Sequence, residues 1–215
     1  MKKLLIASMA ALVLSPLSAM AYEAGDMIVR VGATQVKPQD DYEPYKTTLY
    51  WGLTEVKASS NIQLGLNFVY MATDNIGVEL LAASPFKHDI SVMGVTVGDT
   101  KELPPTLSVQ YYMNNSSIVT PYVGIGINYT TFFDENLKHA DRLIPGASRK
   151  NIELKDSVGL AYQIGLDIAL GKGWGLNVDL RKIDIDTEVD SSNLIDGYKV
   201  NIDPTVYSIT ALYKF

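Results

Sequence analysis

The sequence predicts an all-β protein, an eight-stranded antiparallel transmembrane β-barrel of the outer-membrane type. Three observations carry that expectation: a long strand of period two, its recurrence with alternating long and short spacers, and a secretory leader joined to a chain that stops on Phe215.

The clearest strand is Val158–Leu170, V-G-L-A-Y-Q-I-G-L-D-I-A-L. Val158, Leu160, Tyr162, Ile164, Leu166, Ile168 and Leu170 form one oily face, and Gly159, Ala161, Gln163, Gly165, Asp167 and Ala169 form a small or polar one. A period of two requires extended backbone. Its 13 residues exceed the about 9–11 that a tilted strand needs to cross a bilayer.

Seven further segments fit the template: Met27–Val36, Asn61–Met71, Ile76–Pro85, Thr106–Tyr112, Thr120–Phe132, Trp174–Asp186 and Asn201–Phe215. Their spacers run long (37–60), short (72–75), long (86–105), short (113–119), long (133–153), short (171–173) and long (187–200). Outer-membrane barrels alternate brief periplasmic turns with large external loops in this way. An even number of strands returns both termini to the short-turn side, and ring closure satisfies the backbone in lipid. Thr73-Asp74-Asn75 and Gly171-Lys172-Gly173 supply suitable turn residues.

The N-terminus sets Lys2 and Lys3 before the apolar stretch Leu4–Leu14 and the small-x-small site Ala19-Met20-Ala21, so residues 1–21 are expected to be cleaved, leaving a barrel over 22–215. Without Lys2 and Lys3 the 18 basic residues fall to 16 against 24 acidic, moving the net charge from −6 to −8. That balance speaks against nucleic-acid binding. The absence of cysteine removes disulfides, thiolate metal sites and cysteine nucleophiles together. No cofactor is expected.

A soluble eight-stranded barrel would reverse the faces, with oily groups inside. Here the polar face carries Arg30, Glu79, Asp167, Asp179 and Arg181 interrupted by glycine and alanine. The oily face carries Tyr70, Tyr111, Tyr129, Trp174 and Tyr213 near strand ends, where an aromatic girdle belongs. The final alternation Tyr207, Ile209, Ala211, Tyr213, Phe215 has the form of the signal that such barrels present to the assembly machinery.

Several blocks together carry a family resemblance. They are Tyr70–Ala83 (Y-M-A-T-D-N-I-G-V-E-L-L-A-A), Leu103–Leu107 (L-P-P-T-L), Pro121–Gly124 (P-Y-V-G), Gly126–Phe133 (G-I-N-Y-T-T-F-F), Leu154–Ser157 (L-K-D-S) and Asp184–Thr187 (D-I-D-T). From about Glu23 to Phe215 the chain resembles the OmpW family of small outer-membrane proteins, most weakly in the long loops. The resemblance implies an eight-stranded barrel with a narrow lumen, associated with passage of small apolar molecules. It also implies an apolar constriction at the level of Leu81, with an aromatic where this chain has Arg181.

Strand parity points Glu79, Gln110, Asn128, Gln163, Asp167, Asp179 and Arg181 into the lumen as a polar plug. Eight strands leave room for little besides side chains, so Arg181 is expected to pair with Glu79, Asp167 or Asp179. The same parity points Leu81 inward as the one large apolar side chain at mid-depth of the polar face, and Phe132, Ile183, Ile185, Ile202 and Val206 inward near the outer end. An apolar cup above a polar plug would admit a small greasy molecule and favour its exit sideways into lipid.

Other constellations are weaker. The acids Asp184, Asp186, Glu188 and Asp190 lack the glycine and ligand order of a calcium loop and read first as a solvated rim, with divalent cations and lipopolysaccharide as the alternative. Nucleophilic catalysis would need histidine near serine and a carboxylate, and only His88, with Ser84, Asp89 and Ser91 nearby, and His139 are available. An enzyme is not expected. Gly124-Ile125-Gly126 and Gly171-Lys172-Gly173 lack the remainder of a phosphate-binding motif. Inward glycines instead make room for long side chains opposite.

The expected protein is thus a monomeric barrel of the Gram-negative outer membrane, among outer-membrane lipids and lipopolysaccharide, forming a narrow route for a small apolar ligand. The alternative is a non-conducting envelope protein whose loops bind lipopolysaccharide, a host surface, or a phage or bacteriocin.

Overall fold

Among the described residues, fourteen strands form. They are β1 (Met27–Lys37), β2 (Val56–Ala58), β3 (Asn61–Met71), β4 (Ile76–Ala83), β5 (Phe86–Val92), β6 (Val95–Leu103), β7 (Thr106–Tyr112), β8 (Val119–Leu137), β9 (Ile152–Leu154), β10 (Ser157–Gly171), β11 (Trp174–Ile183), β12 (Asp186–Ser191), β13 (Tyr198–Asn201) and β14 (Thr205–Lys214). The computed structural model describes residues 21–39, 56–92, 94–114, 116–137, 152–191 and 198–215. Residues 1–20 of the expected leader, and His139, lie outside the described residues.

Eight strands close a ring in the order β1, β3, β4, β7, β8, β10, β11, β14, all antiparallel. The seam pairs β14 with β1 from Ile28↔Lys214 to Lys37↔Thr205. No edge remains in the ring, which is the condition for placing strands in lipid. The tight turn between β10 and β11 holds Gly171, Lys172 and Gly173 at φ of 92°, 55° and 80°, a conformation that glycine adopts without a Cβ clash.

Burial inverts the order of a soluble protein. Arg30 and Glu79 are 0 % exposed, whereas Ile127 and Ile164 are 61 % and 57 % exposed. An exterior of large aliphatic groups that continuous would associate in water; it fits acyl chains. Tyr70, Tyr111, Tyr129 and Trp174 also face outward. Trp174, Tyr213 and Phe215 stack in succession, with centroids 4.8 Å and 4.7 Å apart. Tyr129 departs from its expected place near a strand end, because β8 continues to Leu137.

The long spacers differ most from expectation. Residues 86–92 and 95–103 are strands rather than a loop: β5 and β6 pair with each other, β2 joins β5, and β6 pairs with the upper part of β8. The 19 residues of β8 are about twice what a bilayer requires, so its upper half stands above the lipid with β6. The span 187–200 likewise contains most of β12 and part of β13, which with β9 form a three-stranded sheet. The expected strands 174–186 and 201–215 are correspondingly shorter, so Ile185 and Ile202 lie just outside them.

Inside, the lumen has three tiers. At the short-turn end Tyr22, Ile28, Val69, Met71, Tyr112, Tyr122, Ala169 and Leu212 pack together. At the long-loop end Val36, Phe86, Phe132, Ala161, Ile183, Ile185 and Val206 form a second apolar cluster. Charged groups fill the space between.

Candidate functional site

The plug starts from parity. Arg30 on β1, Glu79 on β4, Asp167 on β10, and Asp179 and Arg181 on β11 all turn inward, and none is more than 4 % exposed. A charge so placed needs a partner, since desolvation otherwise costs several kcal/mol. Arg30 spans the lumen, with Nη1 3.2 Å from Glu79 Oε2 and Nη2 2.6 Å from Asp167 Oδ2. Arg181 Nη2 lies 2.5 Å from Glu79 Oε1, and its Nε lies 3.6 Å from Asp179 Oδ1, beyond hydrogen-bonding distance. Glu79 therefore bridges two guanidiniums: of the three partners expected for Arg181, Glu79 makes the close contact and Asp179 lies further off, while Asp167 pairs with Arg30 instead.

Neutral side chains complete the network. Asn67 Nδ2 donates to Glu79 Oε2 at 2.8 Å, Tyr122 Oη to Asp179 Oδ2 at 2.8 Å, and Asn177 Nδ2 to Asp167 Oδ1 at 2.8 Å. Tyr22 Oη donates to Asp167 Oδ2 at 2.6 Å, and Arg30 Nη2 to Tyr112 Oη at 2.9 Å. The Arg30 guanidinium also lies 4.9 Å from the Tyr122 ring centroid, a cation–π distance. Gly165 permits this packing: a Cβ there would fall 2.4 Å from the Tyr122 ring.

All seven residues expected in the plug are buried. Gln110 accepts from Tyr112 Oη at 2.5 Å, and Asn128 donates to Thr106 Oγ1 at 3.0 Å. Gln163 stands apart, because neither atom of its buried amide has a partner. Parity places Arg30, Asn67 and Asn177 on the polar face, although the expected plug omits them, and it does not include Tyr22, Tyr112 or Tyr122. Tyr112 and Tyr122 were recoverable from parity with Tyr111 and Val123. Tyr22 precedes β1, so no periodicity could have located it.

The expected apolar lining divides. Phe132, Ile183, Ile185 and Val206 join the upper cluster, with Ile202 half-buried against it. Leu81 is 5 % exposed but belongs to neither cluster. It lies on β4 two residues above Glu79, where the charged tier ends.

Beside Leu81 the wall is incompletely paired. The β4–β7 ladder reaches Leu81↔Thr106, and the continuation of the same two chain segments resumes at Phe86↔Glu102. Pro85, Pro104 and Pro105 fall in the interval, and proline has no N–H to donate to a ladder.

The other constellations resolve separately. Asp184 and Asp186 are exposed, and Glu188 pairs with Lys155 at 2.7 Å. His88, on β5 above the membrane, is buried, with Nδ1 2.5 Å from the Ser59 carbonyl oxygen and Nε2 3.2 Å from Glu102 Oε1. Both ring nitrogens are thus engaged, and neither meets a serine hydroxyl. Burial works to lower the His88 pKa, but the Glu102 carboxylate, the Ser59 carbonyl and Asp89 outweigh it, and the net shift is upward. A raised histidine pKa adds stability at low pH that is lost as pH climbs through the folded-state value. Backbone amides of β5 and β6, corrected for intrinsic exchange, should therefore exchange several-fold faster at about pH 9 than at about pH 5. His88→Gln should flatten that difference; an equal difference in the variant would refute the assignment.

Comparison with known proteins agrees with this architecture. The model of the OmpW family matches residues 23–215. Outer membrane protein W of Escherichia coli (strain K12) is 41 % identical over 221 residues, covering 100 % of both chains. The crystal structure of the outer membrane protein OprG from Pseudomonas aeruginosa superposes with a TM-score of 0.74 at 39 % identity, covering 92 % of this chain and 99 % of that one. A more distant relative, the dibenzothiophene metabolism operon protein PahQ of Pseudomonas aeruginosa, is 26 % identical over 166 residues, 74 % of each chain.

Proposed function

The chain belongs to the OmpW family of Gram-negative outer-membrane β-barrels, and we propose that it provides a narrow route for small apolar molecules, entering at the long-loop end and leaving sideways into lipid. The observation that carries this reading is an apolar tier lying directly above a charged plug that fills the lumen. A greasy molecule is stabilised by about 25 cal/mol for each Å² it removes from water. It would gain that in the upper tier and forfeit it among the guanidiniums and carboxylates below. Passage straight through is therefore disfavoured. The unpaired interval between β4 and β7, level with Leu81 and flanked above by buried Phe86, supplies the side exit. The name of PahQ links that relative to the metabolism of a small apolar molecule, dibenzothiophene.

We propose further, on the sequence pattern, that residues 1–21 act as a cleaved leader and that Tyr207, Ile209, Ala211, Tyr213 and Phe215 act as the signal read by the assembly machinery. The outward aromatics anchor the barrel at the lipid interface, with lipopolysaccharide around the outer rim. The protein works as a monomer and without a cofactor.

Leu81→Arg tests the route. An arginine there stands beside Glu79, in a tier with three carboxylates and two guanidiniums, so the barrel should still fold. Uptake of an apolar fluorescent probe into vesicles carrying the variant is expected to fall about tenfold, equivalent to about 1.4 kcal/mol on the passage barrier. Unchanged uptake through a folded variant would refute the route.

A further inference from the structure

The upper face of the plug holds polar atoms that the protein itself leaves without partners. Arg181 Nη1 and Nε and both amide atoms of Gln163 are buried and unbonded. Arg181 is 1 % exposed and Gln163 6 % exposed. The two residues are directly opposite in the β10–β11 ladder; the pair above them, Ala161↔Ile183, and Val206, which faces Arg181 across the β11–β14 ladder, belong to the apolar tier. On its other side Gln163 faces Gly124, where a Cβ would fall 2.6 Å from Nε2. The amide therefore lies in the place of a missing side chain. Orphaned buried donors and acceptors are costly. Four on one residue pair, directly beneath the apolar tier, call for a ligand group or water.

We propose that Arg181 and Gln163 form a subsite for the head of an amphiphile, a single neutral hydroxyl whose alkyl tail lies in the apolar tier. The inference rests on the proposed route and specifies its cargo. A hydroxyl accepts a hydrogen bond from Arg181 Nη1 and donates one to Gln163 Oε1, a combination that neither a hydrocarbon nor a ketone can supply. A carboxylate would also satisfy Arg181. However, Glu79, Asp167 and Asp179 already outnumber Arg30 and Arg181 by one negative charge, and a further anion in that dry setting is repelled. The charge balance thus selects a neutral head.

The test uses the full mature protein in phosphatidylcholine nanodiscs, with octane, octan-1-ol and octanoate each competing against an apolar fluorescent probe. Native protein should favour octan-1-ol over octane about tenfold more than Gln163→Leu does, the scale of one or two net hydrogen bonds. Comparing the two proteins cancels the partitioning of each competitor into lipid. Gln163→Met, of similar length, serves as a second variant. In the native protein, the Gln163 side-chain amide resonance should move with octan-1-ol and stay in place with octane. If octane displaces the probe while both proteins treat octan-1-ol alike, the subsite is refuted and the route stands. Tighter displacement by octanoate than by octan-1-ol refutes the neutral head. Failure of all three competitors overturns the route and the subsite together.

Discussion

Replacing Arg30 with methionine should cost about 3–5 kcal/mol of stability, the range found when one partner of a buried ion pair is removed. Methionine roughly preserves the length of the aliphatic stem, so lost charge rather than lost volume dominates. Asp167 would keep only the neutral donors Tyr22 and Asn177, at 2.6 Å and 2.8 Å, and would have no cation. Glu79 would keep Arg181 at 2.5 Å. The damage is therefore local to Asp167, and Arg30→Met/Asp167→Asn should recover most of it. Guanidinium unfolding in lipid vesicles, followed by tryptophan fluorescence, measures both. A double variant as unstable as the single one would show that Arg30 contributes through shape, not charge. The Gln163→Leu variant is an internal control. It deletes an amide that satisfies nothing in the protein, so its stability should equal or exceed that of the native chain.

How much of this was legible in the sequence follows from what period-two alternation reports. Alternation tells which face a side chain occupies, and Glu79, Gln110, Asn128, Gln163, Asp167, Asp179 and Arg181 all stand where parity put them. It does not report reach. Arg30 was assigned to the right face, yet nothing in its spacing shows that a long side chain from β1 meets β4 and β10. Those pairs depend on how the ring closes, which is a tertiary fact. The β5–β6 hairpin was missed for a different reason. Phe86–Val92, F-K-H-D-I-S-V, pairs in the solvent above the bilayer, where its outward Lys87 and Asp89 are exposed. A template that requires an oily outer stripe selects only the membrane-embedded part of each strand. Leu81 was visible as an exception, being the one large apolar residue at mid-depth on the polar face. The interruption in the wall beside it was not, because prolines in a sequence read first as a loop.

A guanidinium placed on the outer face at mid-depth tests the proposition beneath all of these. Ile164 is 57 % exposed near the centre of β10, between Val123 on β8 and Leu180 on β11. Ile164→Arg should destabilise the barrel in bilayers by about 2–4 kcal/mol, the cost of arginine at the midplane of a lipid-facing strand. Val158, 72 % exposed at the outer end of the same strand, supplies the contrast. Val158→Arg should cost only about 0–1 kcal/mol, because its head group reaches the interface. Were the outer face in water, both changes would fall within about 0.5 kcal/mol of neutral, as exposed surface substitutions do. The gradient between the two positions, measured as the difference in unfolding free energy in phosphatidylcholine vesicles, therefore separates a lipid-facing exterior from a hydrated one. Equal costs at the two depths would contradict the inverted burial on which the plug, the apolar tier and the side exit all depend.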